Sequence, residues 1–412
     1  MPERIVFHID VNSAFLSWEA VYRLQELGET IDLREIPSAV GGDKEKRHGI
    51  ILAKSVPAAR LGIKTAETLA DALKKCPTLT LVPPRHHLYS KKSKELMKLL
   101  SEYSEHLEKY SIDEAFLDMT DSVSLFGTPL AAAHQIKDRI LDELGFTVNI
   151  GVSTNKLLAK MASDFQKPNL VHTLFPDEIA EKMWPLPVRE LFFVGGATAK
   201  KLELLGIRTI GDLAHYDKDI IISHLGKHGR LIHEYANGID QTPVQELPPD
   251  NKGYGNSTTI DHDVTDREEA RAILLSLCET VGARLRSDRM TAGVISVSIK
   301  THLLKTSSHQ RVILTPTNVT SELYHYASEL FDELWDGTPI RLLGVQTSKV
   351  TSDDCRQLNI FDMNQYAKQN KMELAVDKIR SRFGNDSIMR ASFLKSDTPH
   401  MTGKMNKRKT PD

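Results

Sequence analysis

Carboxylates at the ends of apolar strands are the groups in this chain best equipped to do chemistry. Ser111 to Asp118 reads Ser-Ile-Asp-Glu-Ala-Phe-Leu-Asp, which sets Asp113 and Glu114 side by side in a strand-like run. Neighbouring side chains on a regular strand point to opposite faces, so adjacent carboxylates converge on one ion only at a turn, bulge or strand end. A second run, Ile5 to Ile9, leads into Asp10. Two such strands would supply the oxygen ligands that a divalent cation requires. An acidic pair at a strand end is most often a solvated turn, so the metal reading needs support from the rest of the chain.

The elements that would position these groups follow from spacing. The strand ending at Asp10 passes through Val11 to Phe15 into a helix over Leu16 to Leu27, with Leu16, Ala20, Leu24 and Leu27 on one face and a stop at Gly28. Backbone N–H groups at such a junction can hold phosphate oxygens, which sets Asp10 between a metal and an anion. Gly41-Gly42-Asp43 opens like the Gly-Gly-Asp-Glu-Phe signature of diguanylate-type cyclases but continues Lys44-Glu45-Lys46, and it reads as a turn. A strand over 49–53 follows, and the basic residues Lys54, Arg60 and Lys64 around Gly62 read equally as a solvated loop and helix end or as a triphosphate-facing surface.

Further along, the spacing predicts a helix over 65–75, a strand over 78–82 and a long amphipathic stretch over 89–110 leading to the Asp113 strand. A helix over 131–144 and a strand over 147–152 come next. That order suits an antiparallel or mixed sheet with helices on one face, the ferredoxin-like arrangement, which would bring Asp10 and Asp113 onto neighbouring strands. The stretch 153–164 is helical with Lys156 and Lys160 on one face, and Lys167, before Pro168, could serve a phosphate.

The character changes after that. Leu191 to Leu213 reads as two short helical pieces around glycine turns, with Gly195 and Gly196 opening one and Gly206 closing it. This is the pattern of a helix-hairpin-helix element, whose N–H groups can grip a nucleic-acid phosphate without reading sequence. A polar link, 241–253, precedes a third unit with strands over 293–300 and 310–314 and helices over 268–286 and 319–335. Between Arg284 and Arg311 six Lys or Arg, among them Arg286 and Arg289, face one acid, and alternation puts Ser296, Ser298 and Lys300 on one strand face suited to a phosphate backbone. From Thr351 the chain is polar around one apolar island, Gln357 to Phe361, which reads as a docking peptide in a mobile segment. The last residues, 403–412, read as disordered.

Composition bounds the answer. With 412 residues the chain divides into two to four domains. A net charge of -2 means that any nucleic-acid surface is a local patch. Cys76, Cys278 and Cys355 are odd in number and lack metal-type spacing, which fits a reducing compartment. No apolar run approaches the roughly 20 residues of a membrane span and the N-terminus does not look like a signal peptide, so a cytoplasmic protein is expected.

Together these residues resemble the Y-family, lesion-bypass DNA polymerases, in the bacterial DinB or DNA polymerase IV branch. The resemblance covers about residues 4–350, and its most specific motifs are 111–118, Gly151-Val-Ser-Thr-Asn-Lys-Leu-Leu-Ala-Lys160 and Gln166-Lys-Pro-Asn169. It implies an α+β, multidomain right-hand polymerase: a ferredoxin-like palm (1–12 and 80–173), small fingers (13–79), a helical thumb with a helix-hairpin-helix (174–242), a linker (243–254), a βα little finger (255–350) and a tail (351–412). By motif match, Asp10, Asp113 and Glu114, with the carbonyl of Val11, would bind two Mg²⁺ ions. Asn12, Ser13, Ala14, Phe15 and Lys167 would meet the nucleotide, Phe15 as the ring that excludes a ribose hydroxyl. Many members carry a tyrosine and an arginine where Val56 and Ala59 stand here, leaving Lys54 and Arg60 as the candidate triphosphate contacts. Gly195, Gly196, Thr198, Arg284, Arg286, Arg289, Ser296, Ser298, Lys300 and Arg311 would meet DNA. Gln357, Leu358, Ile360 and Phe361 look like a sliding-clamp-binding peptide. The implied partners are primer-template DNA, deoxynucleoside triphosphates and the clamp, for a monomer without proofreading. A silent DNA-binding homologue would have little reason to keep the three carboxylates, and a cyclase no use for the glycine-turn unit.

Overall fold

The computed structural model describes residues 4–42, 49–245, 250–353, 363–394, 398 and 400–401. The chain divides into two compact units, residues 1–42 with 50–248, and residues 43–49 with 249–412.

In the first unit the order is β1 (Val6–Val11), α1 (Ala14–Gln25), β2 (Ser38–Gly41), β3 (Ile51–Lys54), α2 (Val56–Arg60), α3 (Leu69–Lys75), β4 (Thr80–Val82), α4 (His86–Leu100), β5 (Leu107–Lys109), β6 (Glu114–Asp118), α5 (Pro129–Arg139), β7 (Val148–Ser153), α6 (Lys156–Ser163) and β8 (Val171–Thr173). The helices α7 (Ile179–Lys182), α8 (Gly196–Leu204), α9 (Ile210–His215) and α10 (Lys218–Ala236) complete it. A five-stranded sheet in the order β5-β6-β1-β7-β8 is the centre, with β1 antiparallel to both neighbours. Phe7, Ile9, Leu117, Ile150 and Val152 leave it on one face and pack against Trp18, Leu96, Leu100 and Ile136 from the helices. Burying a large apolar side chain contributes roughly 2 kcal/mol, so this layer fixes the register of β1 against β6. The other face meets α6 at very close range, because a Cβ on Gly151 would lie 1.9 Å from the carbonyl oxygen of Ala159. Only glycine permits that approach, and it brings Lys160 beneath the carboxylate strands.

Three expectations change here. The amphipathic stretch 89–110 is two elements: α4 ends at Leu100 and the chain returns as the edge strand β5. The helix over 131–144 continues past α5 only as a π-type turn, Ile140–Leu144. The strand expected over 78–82 is confined to Thr80–Val82, where it pairs in parallel with β2 in a second sheet of order β3-β2-β4. In the glycine-turn region α8 starts at Gly196, and Gly206, at φ +83°, ends the piece as expected.

The second unit comprises β9 (Gly253–Val264), α11 (Arg267–Ser287), β10 (Met290–Thr301), β11 (Thr306–Thr317), α12 (Thr320–Leu334), β12 (Ile340–Ser352) and α13 (Met363–Phe383). Its sheet runs β11-β10-β12-β9 with α11 and α12 on one face. The long strands β9, at one edge, and β12, inside the sheet, were not read from the sequence, because their half-exposed positions break the apolar alternation. The polar stretch expected as a mobile tail contains α13. Its inward positions, Tyr366, Asn370, Glu373, Asp377 and Arg380, recur at helical spacing but are all polar, so hydrophobic periodicity misses them. They are satisfied by charge and hydrogen bonds: Arg286 Nη1 to Glu373 at 2.5 Å, Arg286 Nε to Asp377 at 2.7 Å, Arg380 Nη2 to Glu279 at 3.1 Å, and Tyr366 and Asn370 donating to Asn318.

Candidate active site

β1 and β6 pair in a register that sets Asp10 opposite Glu114, and the N–H of Val11 donates to the carbonyl of Asp113 at 3.1 Å. Asp113 lies just outside β6, in the strand-end position that convergence requires. The Ser111 hydroxyl donates to its carboxylate at 2.6 Å and accepts from the N–H of Glu114 at 3.0 Å, which fixes the turn. Asp10 and Asp113 line one cleft of about 730 Å³, together with Val11, Asn12, Ser13, Ala14, Phe15, Lys54, Ser55, Val56, Thr65, Lys167 and Pro168.

Electrostatics distinguish Asp10 from Glu114. Burial raises Asp10 to about 6, although Lys167, paired with it, pulls the other way. Burial also opposes ionisation of Glu114, but the His8 imidazole and the Lys160 ammonium outweigh it and hold that carboxyl down to about 2. Burial drives the His8 ring down to about 4, so it is neutral at pH 7, and Lys160, at 2.9 Å, is the countercharge of Glu114. Glu114 therefore faces Lys160 and does not line the cleft. Among the described residues no three His, Cys, Asp or Glu side chains are grouped as a metal site.

The residues expected to meet a nucleotide are placed as follows. Phe15 is held as a rigid wall: its ring stacks on Tyr89 at 4.6 Å and 13° and meets His86 edge-on at 6.0 Å. Tyr89 and Arg85 in turn bond the fully buried Glu19. The N–H of Asn12, expected to face phosphate, donates instead to the carbonyl of Thr147 at 3.0 Å. Ser13, Ala14 and Phe15 form the entry to α1, where first-turn N–H groups have no intrahelical acceptor. Of the two basic candidates, Lys54 lines the cleft and bonds Thr65 at 3.1 Å, whereas Arg60 is exposed at the end of α2 and does not line it. Val56 lines it and Ala59 does not.

Sequence reasoning missed two groups. Arg34 forks onto Asp32 and donates to the carbonyl of Gly145 at 2.7 Å, so both stand at the cleft with Glu35. The buried Asn149 joins Asn12, at 3.1 Å, to the carbonyl of Gln166, and Asn169 N–H donates to Asn12 Oδ1 at 2.9 Å. Those bonds pin the Lys167 turn against β1. Their partners lie more than a hundred residues apart in two of these cases, and only a polar side chain where a core residue would be expected, as at Asn149, signals them.

The DNA-facing candidates divide. Gly195 and Gly196 are exposed at the start of α8, with Thr198 in its first turn and half-buried. Ser296, Ser298 and Lys300 lie on the open face of β10, while Ile295, Val297 and Ile299 are buried under the helices. Arg284 and Arg289 are exposed. Two expectations are corrected. Arg286 is buried and committed to Glu373 and Asp377, which leaves it unable to meet a phosphate. Arg311 pairs across strands with the buried Ile295, so it shares the helix face and bonds Glu329 and Glu333 of α12. The segment Gln357, Leu358, Ile360 and Phe361 lies outside the described residues, as does 403–412. No described helix is long and apolar enough to cross a membrane.

Comparisons with known proteins agree with this arrangement. Residues 9–164 match the impB/mucB/samB family, 251–360 its C-terminal domain and 176–207 its helix-hairpin-helix motif. The chain is 45% identical over 394 residues to DNA polymerase IV of Clostridium acetobutylicum, covering 96% of this chain and 99% of that one. It is 37% identical over 403 residues to DNA polymerase IV 2 of Bacillus subtilis, covering 96% and 95%. A solved Y-family DNA polymerase chimera of Dbh and Dpo4 shares the fold, with a TM-score of 0.72 at 24% identity over 84% of this chain and 99% of that one. Family models matched in order along the chain, and relatives 45% and 37% identical over nearly its whole length, place this protein in the Y-family of lesion-bypass DNA polymerases, in the bacterial DNA polymerase IV branch.

Proposed function

We propose that the cleft at Asp10 and Asp113 is the nucleotidyl-transfer site of a template-directed, lesion-bypass DNA polymerase. The observation that carries this reading is the meeting, in one cleft, of two strand-end carboxylates, a lysine, a helix start and a rigid aromatic wall. On this reading 1–12 and 80–173 form the palm, 13–79 the fingers, 174–242 the thumb and 255–350 the little finger.

Family membership carries dependence on divalent metal, and the donor set here fits one. All three carboxylates are hard oxygen ligands, and Asp10 is a buried anion short of countercharge. Asp10, Asp113 and Glu114, with the carbonyl of Val11, would hold the two Mg²⁺ ions, Glu114 by turning from Lys160. Bound there, such ions activate the primer 3′-hydroxyl and neutralise the triphosphate. The chain's own contribution is positional: Lys167 and the entry to α1 receive phosphate oxygens, Lys54 meets them from the fingers side, and Phe15 closes the space beside the sugar C2′. Calorimetric titration with Mg²⁺ checks the ligand set. Asp113→Ala is expected to weaken binding at least about tenfold, the loss typical when a ligand or its support is removed; equal binding by wild type and variant would exclude Asp113 as a ligand.

The exposed start of α8, and Arg284, Arg289, Ser296, Ser298 and Lys300, are the proposed DNA contacts. A low-processivity enzyme grips DNA weakly, and a clamp-docked peptide would offset this by raising its local concentration at the primer end. Gln357, Leu358, Ile360 and Phe361 are proposed as that peptide, on a monomeric, cytoplasmic protein. Changing Leu358 and Phe361 to Ala is expected to abolish retention on immobilised sliding clamp, and undiminished retention would sink the assignment.

A further inference from the structure

Lys167 is shared between two carboxylates. Its ammonium pairs with Asp10 at the floor of the cleft and with Asp164 Oδ1 at 2.8 Å. Asp10 is nearly buried, whereas the Asp164 side chain is 53% exposed and does not line the cleft. Asp164 is the C-cap residue of α6. A carboxylate there opposes the helix dipole, so local helix energetics do not account for it. The ammonium does.

The backbone around Lys167 is fixed by Asn149 holding the carbonyl of Gln166 and by Asn169 donating to Asn12. The movable part is the lysine side chain. A divalent cation on Asp10 repels an ammonium at the same carboxylate, and the ammonium must leave. Without a second anchor it would disperse among solvent-facing rotamers. With Asp164 three residues back, it stays at the mouth of the cleft, where triphosphate oxygens arrive.

We propose that Asp164 is a positioning residue for nucleotide binding, holding Lys167 at the cleft mouth once a divalent cation displaces it from Asp10, so that one lysine couples cation binding to triphosphate binding. The proposal rests on the reading of Asp10 as a metal ligand and Lys167 as a phosphate contact. Lys167 thus serves first as an internal stand-in for the metal and then as a ligand for the nucleotide, and Asp164 governs the exchange.

The test is single-nucleotide incorporation by the full chain with dATP opposite template T, comparing wild type, Asp164→Asn, Asp164→Glu, Lys167→Met and the double variant Asp164→Asn/Lys167→Met. Asp164→Asn is expected to raise the KM for dATP about tenfold with kcat within about twofold, the split that marks lost ground-state binding. Asp164→Glu restores most of it. In nucleotide-free protein Asp164→Asn also weakens Mg²⁺ binding, because Lys167 then rests on Asp10 alone. On the Lys167→Met background the Asp164 change has no further effect. A further rise in KM when Asp164→Asn is added on that background, or an unchanged KM in Asp164→Asn while Lys167→Met raises it, overturns the coupling alone. An unchanged KM in Lys167→Met overturns the phosphate role of Lys167 and the coupling with it.

Discussion

Asparagine at position 10 is expected to abolish primer extension and at the same time to make the metal-free protein more stable. Burial raises the Asp10 carboxyl to about 6 from an ordinary 3.8, so the native state holds that proton more tightly than the unfolded chain. The sign follows: the stabilising contribution of Asp10 is fully present below pH 3.8 and is lost as pH rises through about 6. The cost of the ionised group at pH 7 is about 3 kcal/mol, from about two pKa units at 1.36 kcal/mol each. Asparagine has the same shape without the charge, and Lys167 keeps Asp164 as a partner. Urea unfolding without divalent cation is therefore expected to show Asp10→Asn more stable by about 1 to 3 kcal/mol at pH 7, with the gain disappearing near pH 4. Extension falls by about a thousandfold or more, since metal charge stabilisation is worth several kcal/mol. A variant less stable than wild type at pH 7 would contradict the account of Asp10 as an undercompensated buried anion.

Phe15→Ala is expected to let ribonucleotides in. The ring is stacked on Tyr89 and bounded by His86, and the Glu19, Arg85 and Tyr89 bonds hold those neighbours, so it cannot swing aside to admit a 2′-hydroxyl. Exclusion by a fixed ring edge needs no hydrogen bond, only rigidity. Removing the ring should raise the CTP to dCTP efficiency ratio by about a hundredfold, or about 2.7 kcal/mol of discrimination. Comparing incorporation opposite template G for both nucleotides measures it. An unchanged ratio would show that Phe15 is not the sugar gate.

The three middle strands of the central sheet, β1, β6 and β7, were legible in the sequence because they are short apolar runs bounded by charged or turn residues, with Asp10 and Asp113 at such ends, whereas the edge strands β5 and β8 were not. The α6 helix and the glycine-turn unit were legible for similar reasons. What escaped depends on partners distant in the chain. Nothing near Arg286 indicates that Glu373 and Asp377, about ninety residues later, neutralise it. A run of basic residues in one dimension became, in three, two buried or helix-paired arginines and a smaller exposed set. Likewise α13 presents polar residues inward, the reverse of the pattern by which helices are read. Family resemblance named the three carboxylates together, but it did not foresee that Lys160 and Lys167 pair with two of them.

The most direct test of the central claim is extension of a short primer-template with Mg²⁺ and four deoxynucleotides, wild type beside Asp113→Ala. Template-directed extension by the wild type and none by Asp113→Ala, with DNA binding equal in the two, is the predicted result. Extension by both at the same rate, or by neither even with clamp and Mn²⁺ supplied, would contradict a nucleotidyl-transfer site built on Asp10, Asp113 and Glu114.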